Sequence, residues 1–210
     1  MNKLTHSLLK SVPKEDWIMQ SSHLPWLQLH LSVPVEKILY EANAIYPLSV
    51  SHRAGDEFLN YHHQGWKSLS IFGESPTITE RTNGTMEWTS IADQCPNTVE
   101  FINEHWQIDG NTGRIRFMWL EPGGYILPHQ DRPKPGFFET NIAISHPDNC
   151  VFRFLNYGNV PFKSGSAFLV DISNKHLVIN DSDQIRLHMI VHSKLKPGIV
   201  QQSYEQNFYS

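Results

Sequence analysis

Two predicted strands joined by a turn occupy the sequence RIRFMWLEPGGYILPHQD at residues 114–131. The strands are 114–120 and 126–131, and the Glu121-Pro122-Gly123-Gly124 segment between them has the composition of a turn. More predicted strands follow, separated by further turn-forming segments such as 132–136. They are residues 138–145, 151–157, 167–171, 176–179 and 186–191. Short strands at this spacing predict a β-sandwich or barrel, for which a jelly roll is the natural candidate.

The first 110 residues form a mixed α/β part of the chain. Its predicted elements are strands at 26–31 and 66–73 and helices at about 34–46 and 96–105. No internal repeat and no long linker interrupts the sequence. We therefore expect one domain over residues 1–210, in which residues 1–110 pack on a jelly-roll core at 111–195. The expected fold class is mainly β with flanking helices, a double-stranded β-helix of the jelly-roll or cupin type.

Composition excludes several classes of protein. The chain has 210 residues and a formal net charge of -4, with 17 lysines and arginines, which gives no footprint for nucleic acid or an anionic membrane. No run approaches the roughly 20 apolar residues of a membrane span, and the first residues lack the apolar core of a signal peptide. We therefore expect a cytoplasmic protein in which the two cysteines, Cys95 and Cys150, are reduced thiols. Nothing in the sequence predicts an oligomeric state.

A candidate metal site begins with His129 and Asp131, because residues two apart on a strand share a face. A second imidazole can come from His176, which a rolled sheet brings within reach. Two histidines and one carboxylate form the facial triad of non-haem iron(II) oxygenases, which leaves positions for a cosubstrate and dioxygen. Arg186 follows His176 by ten residues, and a buried guanidinium there needs an anion such as the distal carboxylate of 2-oxoglutarate.

These segments resemble the aspartyl/asparaginyl β-hydroxylase family, which also contains free-proline cis-hydroxylases. The resemblance lies in residues 114–131 and in the segments GSAF (165–168), HLVINDSD (176–183) and RLH (186–188), and it covers about residues 110–194. It implies a double-stranded β-helix that uses iron(II), 2-oxoglutarate and O2. By motif position it implies that His129, Asp131 and His176 are the catalytic iron ligands. Arg186 would be the anchor of 2-oxoglutarate.

Three positions bear on the subgroup and on the cosubstrate pocket. The vertebrate peptide-hydroxylating members have a glycine in place of the carboxylate ligand, so Asp131 makes the chain more similar to the proline hydroxylases and favours hydroxylation over halogenation. Those members also place an arginine and, two residues later, a histidine on the strand after the first ligand. Here Glu139 and Asn141 align with them, and only Asn141 can donate to a carboxylate. His188 shares a strand face with Arg186 and is a further cosubstrate-binding candidate.

The substrate remains open between a small molecule, such as an amino acid or its derivative, and a peptide side chain. Arg116 and Arg153 are candidates to bind it, because an arginine among apolar strand residues is costly without an anion. The alternative function is a non-catalytic or 2-oxoglutarate-independent cupin-like protein that binds a metal or another ligand. Among the other histidines, we expect His192 at the surface near a strand end and His146 in a turn.

Overall fold

The computed structural model describes residues 24–53, 62–79, 84–131 and 139–209. Its three helices are α1 (Val35–Ile45), α2 (Pro96–His105) and α3 (Ile199–Tyr209), and single 3-10 turns occupy Tyr46–Leu48 and Ala92–Gln94. The strands are β1 (Trp26–Leu29), β2 (Val50–Ser51), β3 (His63–Gly73), β4 (Glu87–Trp88), β5 (Trp106–Gln107), β6 (Ile115–His129), β7 (Glu139–Ser145), β8 (Cys150–Phe154), β9 (Gly158–Asn159), β10 (Ala167–Val170), β11 (His176–Asn180), β12 (Arg186–Val191) and β13 (Lys194–Leu195). The mainly β jelly-roll prediction is confirmed.

One antiparallel sheet of eleven strands curls into the roll, in the order β1-β10-β7-β12-β6-β11-β8-β9. Strand β3 pairs along β6 and carries β2 and β4, while β13 and β5 form a separate two-stranded sheet. Strands from the mixed N-terminal part therefore belong to the main sheet, as β1 pairs β10 and β3 pairs β6. None of the helices in the described part of the chain has the length and apolar character needed to cross a membrane.

The two faces of the sheet have different roles. Alternation along each strand sends one set of side chains outward beneath the helices and the other into the interior of the roll. The outward set, which includes Phe117, Trp119 and Met189, forms the larger core with residues of α1 and α2. The inward set forms a second core. Its members include Leu120, Phe152, Phe154, Phe162, Phe168, Val170 and Val178.

Strand β6 runs unbroken from Ile115 to His129, which corrects the prediction of two strands separated by a turn. The glycines bend the strand instead of ending it. A Cβ at Gly124 would lie 2.7 Å from the carbonyl oxygen of Glu121 and 2.9 Å from that of Gln64, while Gly123 has a φ of +69°. The pairing with β3 shifts register at this point, as in a β-bulge. The first half of β6 therefore pairs β12 and the second half pairs β11.

The other predicted elements agree with the structure in most places. Helix α2 has the predicted bounds, and α1 lies within the predicted 34–46. Strand β6 ends at His129, so Asp131 lies just past the strand and not on it. The predicted turn at 132–136 and the first residue of the predicted strand at 138–145 lie outside the described residues.

Helix α2 begins against a carboxylate from another helix. Pro96 occupies its first turn, and the residue before it, Cys95, makes no side-chain cap. Glu41 of α1 is buried and accepts from the backbone N–H groups of Asn97 and Thr98 at 2.7 and 2.9 Å. It also accepts from their side chains, each at 2.6 Å. This carboxylate satisfies donors that every helix start leaves unpaired and joins the two helices beneath the sheet.

We predict that Glu41→Ala lowers the free energy of unfolding by about 2–3 kcal/mol, because it leaves the buried N–H of Thr98 and the part-buried N–H of Asn97 without an acceptor. Urea denaturation measures the change. Glu36→Ala, at an exposed position of the same helix, is the matched control and changes stability by less than about 0.5 kcal/mol. Equal effects of the two substitutions would contradict this role of Glu41.

Candidate active site

Three side chains with metal-binding atoms meet inside the roll. His129, Asp131 and His176 offer ligand atoms that all lie within 4.8 Å of one another. The Nε2 atoms of both histidines are 3.5 Å from Oδ2 of Asp131. Strand pairing produces this arrangement, because His129 at the end of β6 is directly opposite His176 at the start of β11. Asp131 is held just beyond β6 by a 3.2 Å hydrogen bond from its backbone N–H to the carbonyl oxygen of Ile172.

The hydrogen bonds of the two histidines prepare them to bind a metal. Nδ1 of His129 is 2.8 Å from the carbonyl oxygen of Leu127, and Nδ1 of His176 is 2.9 Å from that of Asn174. A carbonyl only accepts, so Nδ1 donates in each ring and Nε2 keeps its lone pair. Both lone pairs are on the side of the ring that faces Asp131. Two imidazole nitrogens and one carboxylate oxygen in this arrangement fit a non-haem iron(II) centre.

The surroundings of the three side chains favour a charged carboxylate beside the imidazoles. Partial burial raises the pKa of Asp131, whereas positively charged imidazoles at His129 and His176 hold it well below its usual range. When both Nε2 atoms are unprotonated, a bound metal cation takes the place of those charges and favours the ionised carboxylate in the same way. Phe152 stacks on the ring of His176 at a centroid distance of 5.3 Å and an interplanar angle of 2°. The aromatic ring fixes the orientation of this imidazole and shields one side of the cluster from water.

A buried guanidinium lies in the same cavity. Arg186 is only 4% exposed. Its Nε has no hydrogen-bond partner among the described residues, and no carboxylate in that part of the chain forms an ion pair with it. Burial lowers the pKa of Arg186 to about 10, so the side chain still carries its charge at neutral pH. A buried cation without a counter-ion is costly, and an anionic ligand removes that cost.

Asn180 fixes the turn that leads into Arg186. Its buried side-chain NH2 donates to the carbonyl oxygens of Leu120, Glu121 and Gln184 at 2.9, 3.1 and 2.8 Å. Its Oδ1 accepts from the hydroxyl of Ser182 at 2.6 Å. One asparagine therefore connects the bend of β6 to the start of β12, which sets where the Arg186 guanidinium enters the cavity.

The cavity has a volume of about 190 Å³ and is lined by most of the residues predicted from sequence. His129, Asp131, Asn141, His176, Arg186, His188 and Arg116 all contribute to its wall. Asn141 and His188 lie next to Arg186: Nη2 of Arg186 is 2.9 Å from Nδ1 of His188, and Oδ1 of Asn141 is 2.6 Å from the same nitrogen. Burial, together with Arg186 and His146, holds the pKa of His188 well below its usual value.

Arg153 is the one predicted site residue that the structure does not bring into the cavity. It is exposed on β8, and its neighbours Phe152 and Phe154 are the residues whose side chains point inward. Alternation along the strand therefore sends Arg153 to the outer surface. Arg116, by contrast, is 8% exposed and lines the cavity.

Two histidines that line the cavity, His192 and His52, were not predicted from sequence as site residues. His192 was expected at the surface but lines the cavity, where its Nδ1 is 3.5 Å from Oε1 of Glu139. The signal was present, because His192 continues the spacing of two that places Arg186 and His188 inside. His52 is buried beside Ser68, and burial followed by the charge of Arg116 lowers its pKa well below the usual value. Nothing in the sequence around His52 indicated this position.

A family model described as aspartyl/asparaginyl beta-hydroxylase matches residues 34–194, more than half of the chain. The chain belongs to the aspartyl/asparaginyl β-hydroxylase family. It is therefore a hydroxylase of the iron(II)- and 2-oxoglutarate-dependent dioxygenases, and its cofactors are iron(II), 2-oxoglutarate and O2. The predicted family and enzyme class are confirmed, and the alternative of a non-catalytic cupin-like protein is not supported.

Solved structures with low sequence identity are also similar to the chain. One is the 2-oxoglutarate complex of the viral collagen prolyl hydroxylase vCPH from Paramecium Bursaria Chlorella virus-1, with 13% identity and a TM-score of 0.44 over 80% of this chain and 95% of that chain. A prolyl-4-hydroxylase from Pseudomonas putida has 14% identity and a TM-score of 0.44 over 82% and 94%. A 2OG-Fe(II) oxygenase family oxidoreductase from Burkholderia pseudomallei has 10% identity and a TM-score of 0.48 over 86% and 89%. No curated protein matches the sequence.

Proposed function

We propose that this hydroxylase acts on a free amino acid or a small amino-acid derivative, with iron(II) bound by His129, Asp131 and His176. Arg186 binds the distal carboxylate of 2-oxoglutarate. The observation that carries the assignment is the buried Arg186 guanidinium, which has no carboxylate partner among the described residues and shares a cavity with the three metal-binding side chains.

Iron(II) and 2-oxoglutarate supply the oxidation itself, in which a substrate C–H becomes C–OH while 2-oxoglutarate and O2 become succinate and carbon dioxide. The protein binds and orients the reactants and keeps the site dry. His129 and His176 present Nε2 lone pairs because carbonyl oxygens hold their Nδ1 protons. Apolar side chains from four strands, Ile126, Phe152, Val170 and Val178, line the wall of the cavity and exclude water.

Two buried arginines, Arg186 and Arg116, enter the cavity at positions that lie four residues apart along β12. Arg186 lies opposite Leu120 on β6, whereas Ile190 lies opposite Arg116. Four residues of an extended strand span about 13 Å, so the backbones of Arg116 and Arg186 lie well apart along the cavity wall. Arg186 serves the cosubstrate, and the positive charge of Arg116 lines the cavity at a separate position.

Charges of both signs line the end of the cavity that lies away from Arg186. Glu139 is 2% exposed and lines the cavity on β7, two residues from Asn141, which β12 places opposite Ile190. A free amino acid carries a carboxylate, opposite in charge to Arg116, and an ammonium group, opposite in charge to Glu139, which His192 also approaches at 3.5 Å. A residue within a peptide has neither of these charges on its backbone, so buried Glu139 favours the small substrate.

The role of Arg186 as the 2-oxoglutarate anchor is tested by comparing 2-oxoglutarate binding in variants of Arg186 and Arg153. We predict that Arg186→Met raises the dissociation constant of 2-oxoglutarate at least about 30-fold, because it removes a buried cation from a paired anion. Isothermal titration calorimetry under anaerobic conditions measures the binding. Arg153→Met, on the outer surface, is the control and leaves the constant unchanged. If the two variants bind 2-oxoglutarate equally, another group anchors the cosubstrate.

The substrate class is tested by succinate release with the twenty standard free L-amino acids and with the same amino acids acetylated and amidated at their ends. We predict turnover of one or more free amino acids and at least about tenfold less with the capped forms. Glu139→Gln raises the KM of the accepted amino acid about tenfold and leaves that of 2-oxoglutarate unchanged. Glu87→Gln, at an exposed position, is the control. Preferential turnover of capped forms would instead identify a peptide hydroxylase.

A further inference from the structure

A series of hydrogen-bonded side chains extends from the Arg186 guanidinium towards the surface. Nη2 of Arg186 is 2.9 Å from Nδ1 of His188, which is fully buried. On the other side of the same ring, Nε2 of His188 is 3.0 Å from Nδ1 of His146. His146 is only partly buried, after the end of β7, and was predicted from sequence merely as a turn residue. The ring of His188 is held in place by Phe162, at a centroid distance of 4.7 Å.

The two partners of His188 Nδ1 make opposite demands on that atom. A guanidinium can only donate, so Arg186 requires a lone pair on Nδ1. The carbonyl oxygen of an asparagine side chain can only accept, so Oδ1 of Asn141, at 2.6 Å, requires a proton there. One ring nitrogen cannot provide both at once. Each contact therefore belongs to a different tautomer of His188.

Both rings are neutral at neutral pH, so the position of one proton defines each tautomer. Burial and the charge of Arg186 lower the pKa of His146 to about 4, and burial holds the pKa of His188 well below its usual value. With its proton on Nε2, His188 accepts from Arg186 and donates to His146. With its proton on Nδ1, it donates to Asn141 and accepts from His146, whose own proton is then on Nδ1.

We propose that His188 is a tautomeric switch that holds the Arg186 Nη2 donor in the free enzyme and releases it when 2-oxoglutarate binds. The inference rests on the proposed role of Arg186 as the cosubstrate anchor. Nη2 carries two N–H groups, so the switch requires the guanidinium to turn when the distal carboxylate accepts from Nη2 and from Nε, which has no hydrogen-bond partner among the described residues. That turn removes the donor from Nδ1 of His188, and the tautomer that donates to Asn141 becomes the more stable one. The ligand thus shifts the equilibrium through its different interactions with the two states.

The change of tautomer conserves charge. The Nε2 proton of His188 passes to Nδ1 of His146, whose Nε2 proton passes to water. A water molecule in the cavity returns one proton to Nδ1 of His188. His188 and His146 are therefore positioning residues for the anchor, and neither needs to touch the substrate or the metal.

Nitrogen-15 NMR of histidine-labelled protein tests the switch directly, because long-range 1H–15N correlations distinguish the two neutral tautomers. We use protein loaded with zinc(II), a diamagnetic replacement for iron(II), and assign the His188 signals from their loss in His188→Gln. The expected result is an Nε2–H ring in the free protein and an Nδ1–H ring after 2-oxoglutarate is added. An unchanged tautomer would overturn the proposal, and it is the result expected if Asn141 instead turned its NH2 towards the ring.

A variant gives an independent measurement. Asn141→Leu removes the acceptor of the Nδ1 proton, so we expect His188 to keep its proton on Nε2 and the dissociation constant of 2-oxoglutarate to rise about tenfold. Asn156→Leu, in the exposed turn after β8, is the control and changes neither. A normal switch of tautomer in Asn141→Leu would also overturn the proposal.

Binding to the unmodified protein separates the two claims. If calorimetry shows no 2-oxoglutarate binding, the assignment of Arg186 and the switch both fail. If 2-oxoglutarate binds and Arg186→Met weakens it while the His188 tautomer stays the same, only the switch is wrong.

Discussion

The close approach of Gly124 to the carbonyl oxygens of Glu121 and Gln64 is the constraint on which the site depends. Only a residue without a Cβ allows β6 to bend there without breaking its pairing with β3. The bend lets one strand pair β12 through its first half and β11 through its second. It therefore places Arg186, the proposed cosubstrate anchor, on one neighbour and His176, a proposed metal ligand, on the other, with both side chains lining the same cavity.

Electrostatics then divides the interior of the roll by function. The anionic carboxylate of Asp131 lies between two imidazoles whose protons point away, which favours a divalent cation. The cationic Arg186 has no carboxylate partner in the described part of the chain, which favours an anion. The packed aromatic side chains between them lower the local dielectric constant and strengthen both preferences. Burial of the two hydrophobic cores stabilises the fold enough to hold Asp131 and Arg186 in the roll, where bound ligands balance their charges.

Local pattern was enough to predict much of this arrangement. Strand alternation and spacing indicated the roll, and the order of His129, Asp131, His176 and Arg186 indicated one cavity, which the structure shows. The continuity of β6 was not predictable, because proline and two glycines in succession usually end a strand, and only the contact with Gln64 explains the bend. The contact of His188 with His146 could not be predicted from sequence either, because it depends on the three-dimensional path of the turn that follows β7. Arg153 was predicted to line the cavity but lies at the outer surface. Adjacent residues of a strand point to opposite faces, so a shift of one residue exchanges interior and surface positions.

The proposed iron(II) and 2-oxoglutarate site is tested most directly by an anaerobic titration of the metal-free protein with iron(II) and then with 2-oxoglutarate, followed by visible absorption. We expect a weak metal-to-ligand charge-transfer band that appears only when both are present and is absent in His176→Ala. Iron(II) binding without that band, or an undiminished band in His176→Ala, would contradict the claim that these three side chains and Arg186 form one iron(II) and 2-oxoglutarate site.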